Sequence, residues 1–439
     1  MIVHLKQVLH AEETSAEYRQ EMSNFTRQRV LTFAKVAILI LRGHKISLQN
    51  ALNKFFGALG KVFRVPTASA LCQARQKIQP ELFVRLNQVV VKDFYQLSDA
   101  DGEVLTWRGH RVLGADGTYL NLPDTEELRG LFSVQRNQHA HKQSEQVQAL
   151  AVVLHDLRND LGLAAAMAPA HSAEKDLLFA EPVWSQTRRG DVLVLDRNWA
   201  DYTVIARAHS LGRSVVIRCP RQSFAVVNEF WESELTEAVV CLSLPTTPQT
   251  RALVREHGLP EEIQVRLLKF RLETGETEVL LTTLSDLRRY PAQEFYTLYG
   301  WRWSDETYYD RIKNIFEVER FSGLSATAIK QDFYGVIFLA SLEGVLTKRA
   351  QQELSQGAAA RKLSHPPRVN RALSYVSLLD RAVELLADPC RSPDQVLQEL
   401  HHLFKTNPTR HRAGRKFDRP KLTHARKLRF HRYTKRIIA

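Results

Sequence analysis

Two aspartates and one glutamate are the residues of this 439-residue chain whose settings invite chemistry. Asp116 closes the apolar run in VLGADGTYL, and Gly117 behind it lets the backbone turn without a side-chain clash. Asp196 closes a second apolar run, VLVLDRNW. A carboxylate that follows a buried strand is projected at the end or edge of a sheet. Two such strands side by side would bring two carboxylates together. Like charges that close raise each other's pKa unless a cation neutralises them. Mg²⁺ and Mn²⁺, hard ions that prefer oxygen ligands, suit that role. On their own the two aspartates are also compatible with turn-forming or capping residues.

The segment YGWRWSDETYYDRIKNIFEVERF adds a third carboxylate in company. Tyr299, Arg302, Glu306 and Lys313 follow one another at intervals of three, four and seven residues. On one continuous helix they would share a sector of about 60°. That face would carry a phenol, a guanidinium, a carboxylate and an ammonium. Solvated charge neighbours would explain Arg302–Glu306 and Glu306–Lys313 without any function. A fresh helical turn starting at Ser304 would take Tyr299 and Arg302 off the shared face. Glu317 and Glu319 are nearby competitors, but neither has Arg four residues before it and Lys seven after.

Tyr-x2-Arg-x3-Glu-x6-Lys is the signature of DDE transposases of the insertion-sequence-four group, and this sequence resembles it without a gap. ADGT around Asp116, DRNW around Asp196, EVERFSG and SALCQARQKI resemble further blocks of the same family. The resemblance covers most of the chain and is weakest over residues 1–25 and 345–404. It implies an RNase H-like domain in which Asp116, Asp196 and Glu306 are catalytic and hold two Mg²⁺ (or Mn²⁺) ions. It implies Tyr299, Arg302 and Lys313 as DNA contacts. Its implied reaction is cut-and-paste transposition: cleavage at terminal inverted repeats, then strand transfer into target DNA, by a homodimer that pairs two ends. A non-catalytic, transposase-derived DNA-binding protein or repressor is the alternative, and the intact carboxylate triad argues against it. A site-specific nuclease without strand transfer is a third reading.

The elements that must position these residues change character along the chain. Residues 1–105 repeat apolar positions at helical spacing, with Ser47 and Thr67 or Ser69 as N-cap candidates. Three short helices with basic turns there resemble a helix-turn-helix layout, so this region is expected to be a helical DNA-binding domain, although the same signals equally fit a helical packing domain. Residues 106–218 read as three strands, a helix, a strand, a helix and a strand, the first part of a mixed α/β catalytic core. Residues 219–289 break that rhythm as a β-rich insertion. Residues 290–345 return to the core with the Glu306 helix, and 346–404 are helical. The expected fold class is α/β, an RNase H-like mixed sheet interrupted by a β-rich insertion.

Charge is distributed as unevenly. The chain has 61 Lys+Arg against 48 Asp+Glu, a net +13, which points to an acidic partner such as nucleic acid. Residues 405–439 hold thirteen of the basic residues and one acid, Asp418, a balance of +12. With interleaved Phe417, Phe430 and Tyr433, this tail, Arg415, Lys416, Arg426 and Lys427 among it, is expected to bind DNA phosphates. A run of this kind also serves localisation or solubility. The four cysteines form no CxxC pair and read as reduced thiols. Neither a signal peptide nor an apolar run of about 20 residues is evident. No GxxxxGK loop occurs, so no nucleotide cofactor is expected. The expectation is a soluble cytoplasmic bacterial protein, close to the nucleoid and away from membranes.

Overall fold

Apolar runs rich in Val, Leu and Ala make most of the strands of the main sheet, and a short pair, Pro367–Arg368 with Thr409–Arg410, stands apart from it. The computed structural model describes residues 1–27, 29–43, 47–100, 103–136, 145–272, 275–387 and 391–410. A nine-stranded sheet contains β1 (Val112–Asn121), β2 (Ser133–Arg136), β3 (Glu145–Asp156), β4 (Leu161–Pro169), β5 (Val192–Leu195), β6 (Ser214–Arg218), β7 (Glu237–Ser243), β8 (Glu262–Arg271) and β9 (Thr277–Thr282). β3 pairs antiparallel with both β1 and β4, whereas β1 pairs parallel with β5, and β5 with β6. The resulting order β4-β3-β1-β5-β6, three antiparallel strands followed by two parallel ones, is RNase H-like. The expected mixed α/β class therefore holds.

The β-rich insertion joins this sheet and forms no layer of its own. β9 pairs antiparallel with β6, β8 with β9, and β7 with β8. Residues 219–289 thus lengthen the sheet at its parallel end.

Helices cover both faces. In chain order they are α1 (Ile2–His10), α2 (Glu12–Tyr18), α3 (Phe33–Leu41), α4 (Leu48–Ala58), α5 (Ala68–Arg75), α6 (Glu81–Ala100), α7 (Glu126–Leu131), α8 (Glu174–Leu178), α9 (Glu181–Trp184) and α10 (Tyr202–Ser210). They continue with α11 (Ala225–Glu232) and α12 (Pro248–Glu256) inside the insertion, then α13 (Ala292–Gly300), α14 (Trp303–Asp310), α15 (Ala326–Ala360), α16 (Arg371–Leu386) and α17 (Pro393–Thr406). A π-helical turn, Arg311–Ile315, follows α14. The expected caps form: the Ser47 hydroxyl accepts from Asn50 N at 3.4 Å and Thr67 from Ala70 N at 3.2 Å. The one helix expected between the third and fourth strands is instead the short pair α8 and α9.

Period-two alternation sorts the strand residues between two cores. Leu113, Leu193, Leu195, Val215 and Ile217 face one side, with Val91, Phe94 and Tyr95 of α6 and Val204 and Ile205 of α10. Val112, Val192, Val194 and Val216 face the other, with Phe295, Leu298 and Tyr299 of α13. The N-terminal helices have no core of their own. α3 is buried at eight of its nine positions. Its residues share one cluster with Val147, Ala149 and Val153 of β3 and with Phe333, Phe338 and Leu342 of α15. Among the described residues no helix is long and apolar enough to cross a membrane. Cys72, Cys219 and Cys241 are free thiols.

Candidate active site

The parallel register between β1 and β5 brings the two aspartates together. Val112 pairs with Val192, Leu113 with Leu193 and Gly114 with Val194, a constant offset of 80 residues. Two residues beyond the last of these pairs lie Asp116 and Asp196, which therefore sit side by side, about 4.8 Å apart across the strands. Alternation sets both on the face covered by α13 and α14, the face of Gly114 and Val194. Asp196 also caps the short turn Arg197–Trp199, accepting from Asn198 N at 2.8 Å. The capping and functional readings of this residue are thus compatible.

Asp116 is held from several directions. Its carboxylate accepts from Gly117 N at 2.9 Å. The Tyr309 hydroxyl donates to the Asp116 carbonyl and accepts from Val153 N at 2.9 Å, tying α14 to β1 and β3. Burial, and then the carboxylates of Asp196 and Asp305, push the Asp116 carboxyl up to about 7. Glu174, at the start of α8, reaches the same cluster from the opposite sheet face, against Gly117.

The acidic pair on α14 divides its labour by direction. Asp305 points into the sheet, where its carboxylate occupies the space over Gly114; a Cβ there would lie 1.9 Å from Asp305 Oδ2. Asp305 Oδ1 bonds His155 Nδ1 at 2.9 Å, and His155 Nε2 lies 3.3 Å from Asp160 Oδ1. Tyr308 stacks on His155 with ring centroids 4.3 Å apart. Glu306, the next residue, turns toward Arg302, whose Nη2 is 3.1 Å from Glu306 Oε1.

The four-residue row that one continuous helix would make is interrupted, as a fresh turn near Ser304 would have it. α13 ends at Gly300 and α14 begins at Trp303, so Tyr299 and Arg302 precede the helix that carries Glu306. Tyr299 is 6% exposed within the α13 core, and burial pushes its phenol up to about 12. Arg302 lies between Tyr299, Glu306 and the field of Asp196, with its guanidinium centre 5.0 Å from the Trp303 ring. Trp303 is 56% exposed, which makes it the open aromatic surface of the site. Lys313, on the π turn, donates to Tyr119 O at 2.8 Å, and burial lowers its pKa. Glu319 accepts from Asn121 N at 2.9 Å and Glu317 pairs with Arg320 at 2.9 Å. Both are engaged away from Asp116.

The donor set at Asp116 and Asp196 is all oxygen, half-buried and short of positive charge, which suits a hard divalent cation. Arg302 and the His155 beneath Asp305 are the nearby cations, and neither stops Asp116 from being driven toward its neutral form. Among the described residues no three His, Cys, Asp or Glu side chains converge on one ion-sized point. Glu306 is turned to Arg302 instead. Asp305, His155 and Glu174 are the members of this cluster that motif spacing does not single out. Arg415, Lys416, Arg426 and Lys427 of the tail lie outside the described residues.

No family model matches the chain. Over 276 residues it is 26% identical to transposase InsG of insertion sequence element IS4 from Escherichia coli (strain K12). The match covers 62% of this chain and 60% of that relative, so the chain spans about three-fifths of the curated protein's length. Superposition on piggyBac transposase, from a cryo-EM synaptic complex with hairpin DNA, covers 98% of this chain and 88% of that one, with a TM-score of 0.42 and 11% identity. Over the matched residues this chain is thus similar to a transposase of insertion sequence element IS4, and its own β1–β5 register sets Asp116 beside Asp196.

Proposed function

We propose that this chain is a DDE transposase that cleaves DNA at the ends of an insertion sequence and joins them to target DNA. The observation that carries this reading is the offset of 80 residues between β1 and β5, which sets Asp116 beside Asp196 under the helix of Glu306. A pure DNA binder has no use for such a costly carboxylate pair. Asp116, Asp196 and Glu306 would hold two divalent ions, with Glu306 released from Arg302. When bound, such ions lower the pKa of an attacking oxygen and stabilise the leaving oxygen of an in-line displacement.

The protein's own groups then have distinct tasks. Asp116 and Asp196 are fixed by strand register and by the Tyr309 hydroxyl, so the reacting phosphate meets a preset site. Arg302, freed from Glu306, offers a planar fork to a phosphate beside Asp196. Lys313 adds a point charge near Tyr119 at the far end of β1. Tyr299 acts from beneath, as a wall against which Arg302 is held. Duplex ends with terminal inverted repeats are the substrate, and two copies of the chain pair two ends.

The test uses the full chain, plasmid DNA carrying the element's ends, and Mg²⁺ or Mn²⁺. Glu306→Ala and Asp116→Ala are each expected to reduce cleavage at least about a hundredfold, as loss of a transition-state charge partner does elsewhere, while end binding persists. Cleavage at the normal rate by Glu306→Ala would overturn the assignment. Binding without cleavage by the unaltered chain would favour the repressor reading.

A further inference from the structure

A second charged feature lies away from the carboxylates. A cleft of about 780 Å³ is lined by Arg85, Gln88, Lys92, Gln96, Arg111 and Arg188, and among the described residues no Asp or Glu lines it. The four α6 residues are spaced at three, four and four. Their directions therefore fall within about 80° on the helix, a single stripe alternating cation and amide. Arg85 and Lys92 stand about 10.5 Å apart along the axis. That rise matches about three base steps of one DNA strand.

The opposite wall is preorganised. Arg111 is buried and bonded to Asp191, with Nη2 2.6 Å from Oδ2. Its guanidinium centre lies 5.0 Å from the Tyr95 ring, and that of Arg188 lies 4.9 Å from the same ring. Arg188 is further placed by its backbone N–H, which donates to Asp191 at 2.6 Å. Arg85, Lys92 and Arg188 are exposed, and among the described residues none of the three has an ion-pair partner. Three unneutralised cations and a row of amide donors around one cleft make a site of positive potential for an extended anion.

Its position separates it from the reacting centre. Arg111 precedes β1 and Arg188 precedes β5, at the ends of the parallel strands remote from Asp116 and Asp196. Five strand residues from Arg111 to Asp116 span about 16 Å. Tyr95 packs on the sheet face opposite the one that bears the two carboxylates. One phosphate cannot touch both places.

We infer that this cleft binds the phosphodiester backbone of duplex DNA outside the cleaved bond, through Arg85, Lys92 and Arg188. The inference rests on the reading of the chain as a DNA enzyme and extends it to a second contact region. Recognition there is sequence-independent, since cations and amides on phosphates carry no base information.

The experiment measures affinity against salt concentration for the full chain with three duplexes: a short one ending at the cleavage point, one extended inward through the element, and one of unrelated target sequence. The compared protein is Arg85→Glu/Lys92→Glu/Arg188→Glu, with the Gln triple variant as a milder control. Leaving three phosphates without their cations is expected to lower the magnitude of the log–log salt slope by about 2.7, and to weaken binding at least about tenfold, on whichever longer duplex reaches the cleft. The loss on the short end should be smaller. A change confined to the extended end assigns the cleft to element DNA; a change confined to the unrelated duplex assigns it to target DNA. Unchanged slopes on all three duplexes, with normal binding by the unaltered chain, would overturn the inference. So would loss of pyrophosphate binding with DNA slopes intact, which would make the cleft a small-anion site. An unaltered chain that binds none of the duplexes refutes the DNA-enzyme reading itself.

Discussion

Asp116 shows how a carboxyl group is held in a state it would not choose in water. Its folded pKa, about 7, lies above the usual 3.8. Between those values the folded state keeps a proton that the unfolded chain has released, so stability falls as pH rises from about 4 to 7. A divalent cation competes with that proton. Mg²⁺ or Mn²⁺ should therefore raise the melting temperature clearly at pH 8, with the increment shrinking as pH falls through 7. Asp116→Asn should be more stable than the parent in metal-free buffer at pH 8 and should lose most of the increment. Scanning calorimetry across pH checks both, and an equal metal effect at pH 6 and pH 8 would contradict the account. Gly114 gives a steric counterpart. Its added methyl in Gly114→Ala would collide with the Asp305 carboxylate, which is buried and bonded to His155. Displacing that buried pair should cost about 3 kcal/mol and suppress cleavage, readable by urea unfolding and the plasmid assay. The meeting of Asp116 and Asp196 is legible from their places at strand ends. The burial of Asp305 is not, because adjacent helix residues point about 100° apart, and only the sheet beneath α14 decides which of two neighbouring acids is buried.

At the scale of elements, the strands were more legible than the helix that serves them. Val, Leu and Ala runs ending in Asp identify β1 and β5, whereas their pairing at an offset of 80 is a tertiary fact with no local signal. The spacing allows either one helix from Tyr299 or a fresh turn near Ser304, and the structure takes the second course, stopping at Gly300 and restarting at Trp303. Gly300 is the readable sign, since glycine is a poor helix former. Its backbone is ordinary, and a Cβ there would meet nothing within 4 Å. Gly300→Ala should consequently stabilise the protein by about 0.5–1 kcal/mol, as a shift of the urea midpoint with an unchanged slope. Destabilisation instead would mean that the break at 300–303 depends on glycine itself. The π turn at Arg311–Ile315 was equally hidden. It adds a residue to one turn and so sets Lys313 over Tyr119 rather than one step along a regular helix.

Across the whole molecule, the net charge of +13 separates into +12 from residues 405–439 and +1 from the rest. Removing 405–439 should weaken DNA binding and flatten its salt dependence, by about 0.9 in log–log slope for each phosphate no longer neutralised; a titration across salt concentrations reads this directly. The near-neutral remainder is patterned, with carboxylates at one end of the parallel strands and the Arg85–Lys92–Arg188 cleft at the other. Composition could not show that separation, because it depends on which end of each strand a loop occupies. The sequence-level division into an N-terminal helical region and a core also hides that α3, β3 and α15 share one cluster. Apolar spacing marks a buried face but not its partner.

The continuity of the sheet through β6, β9, β8 and β7 has a mechanical consequence. An insertion on a flexible neck would swing like a jaw, but this one is an extension of the same plate that bears Asp116 and Asp196. The spacing between its strands and the two carboxylates is therefore a gauge of fixed opening, set by the ladder itself.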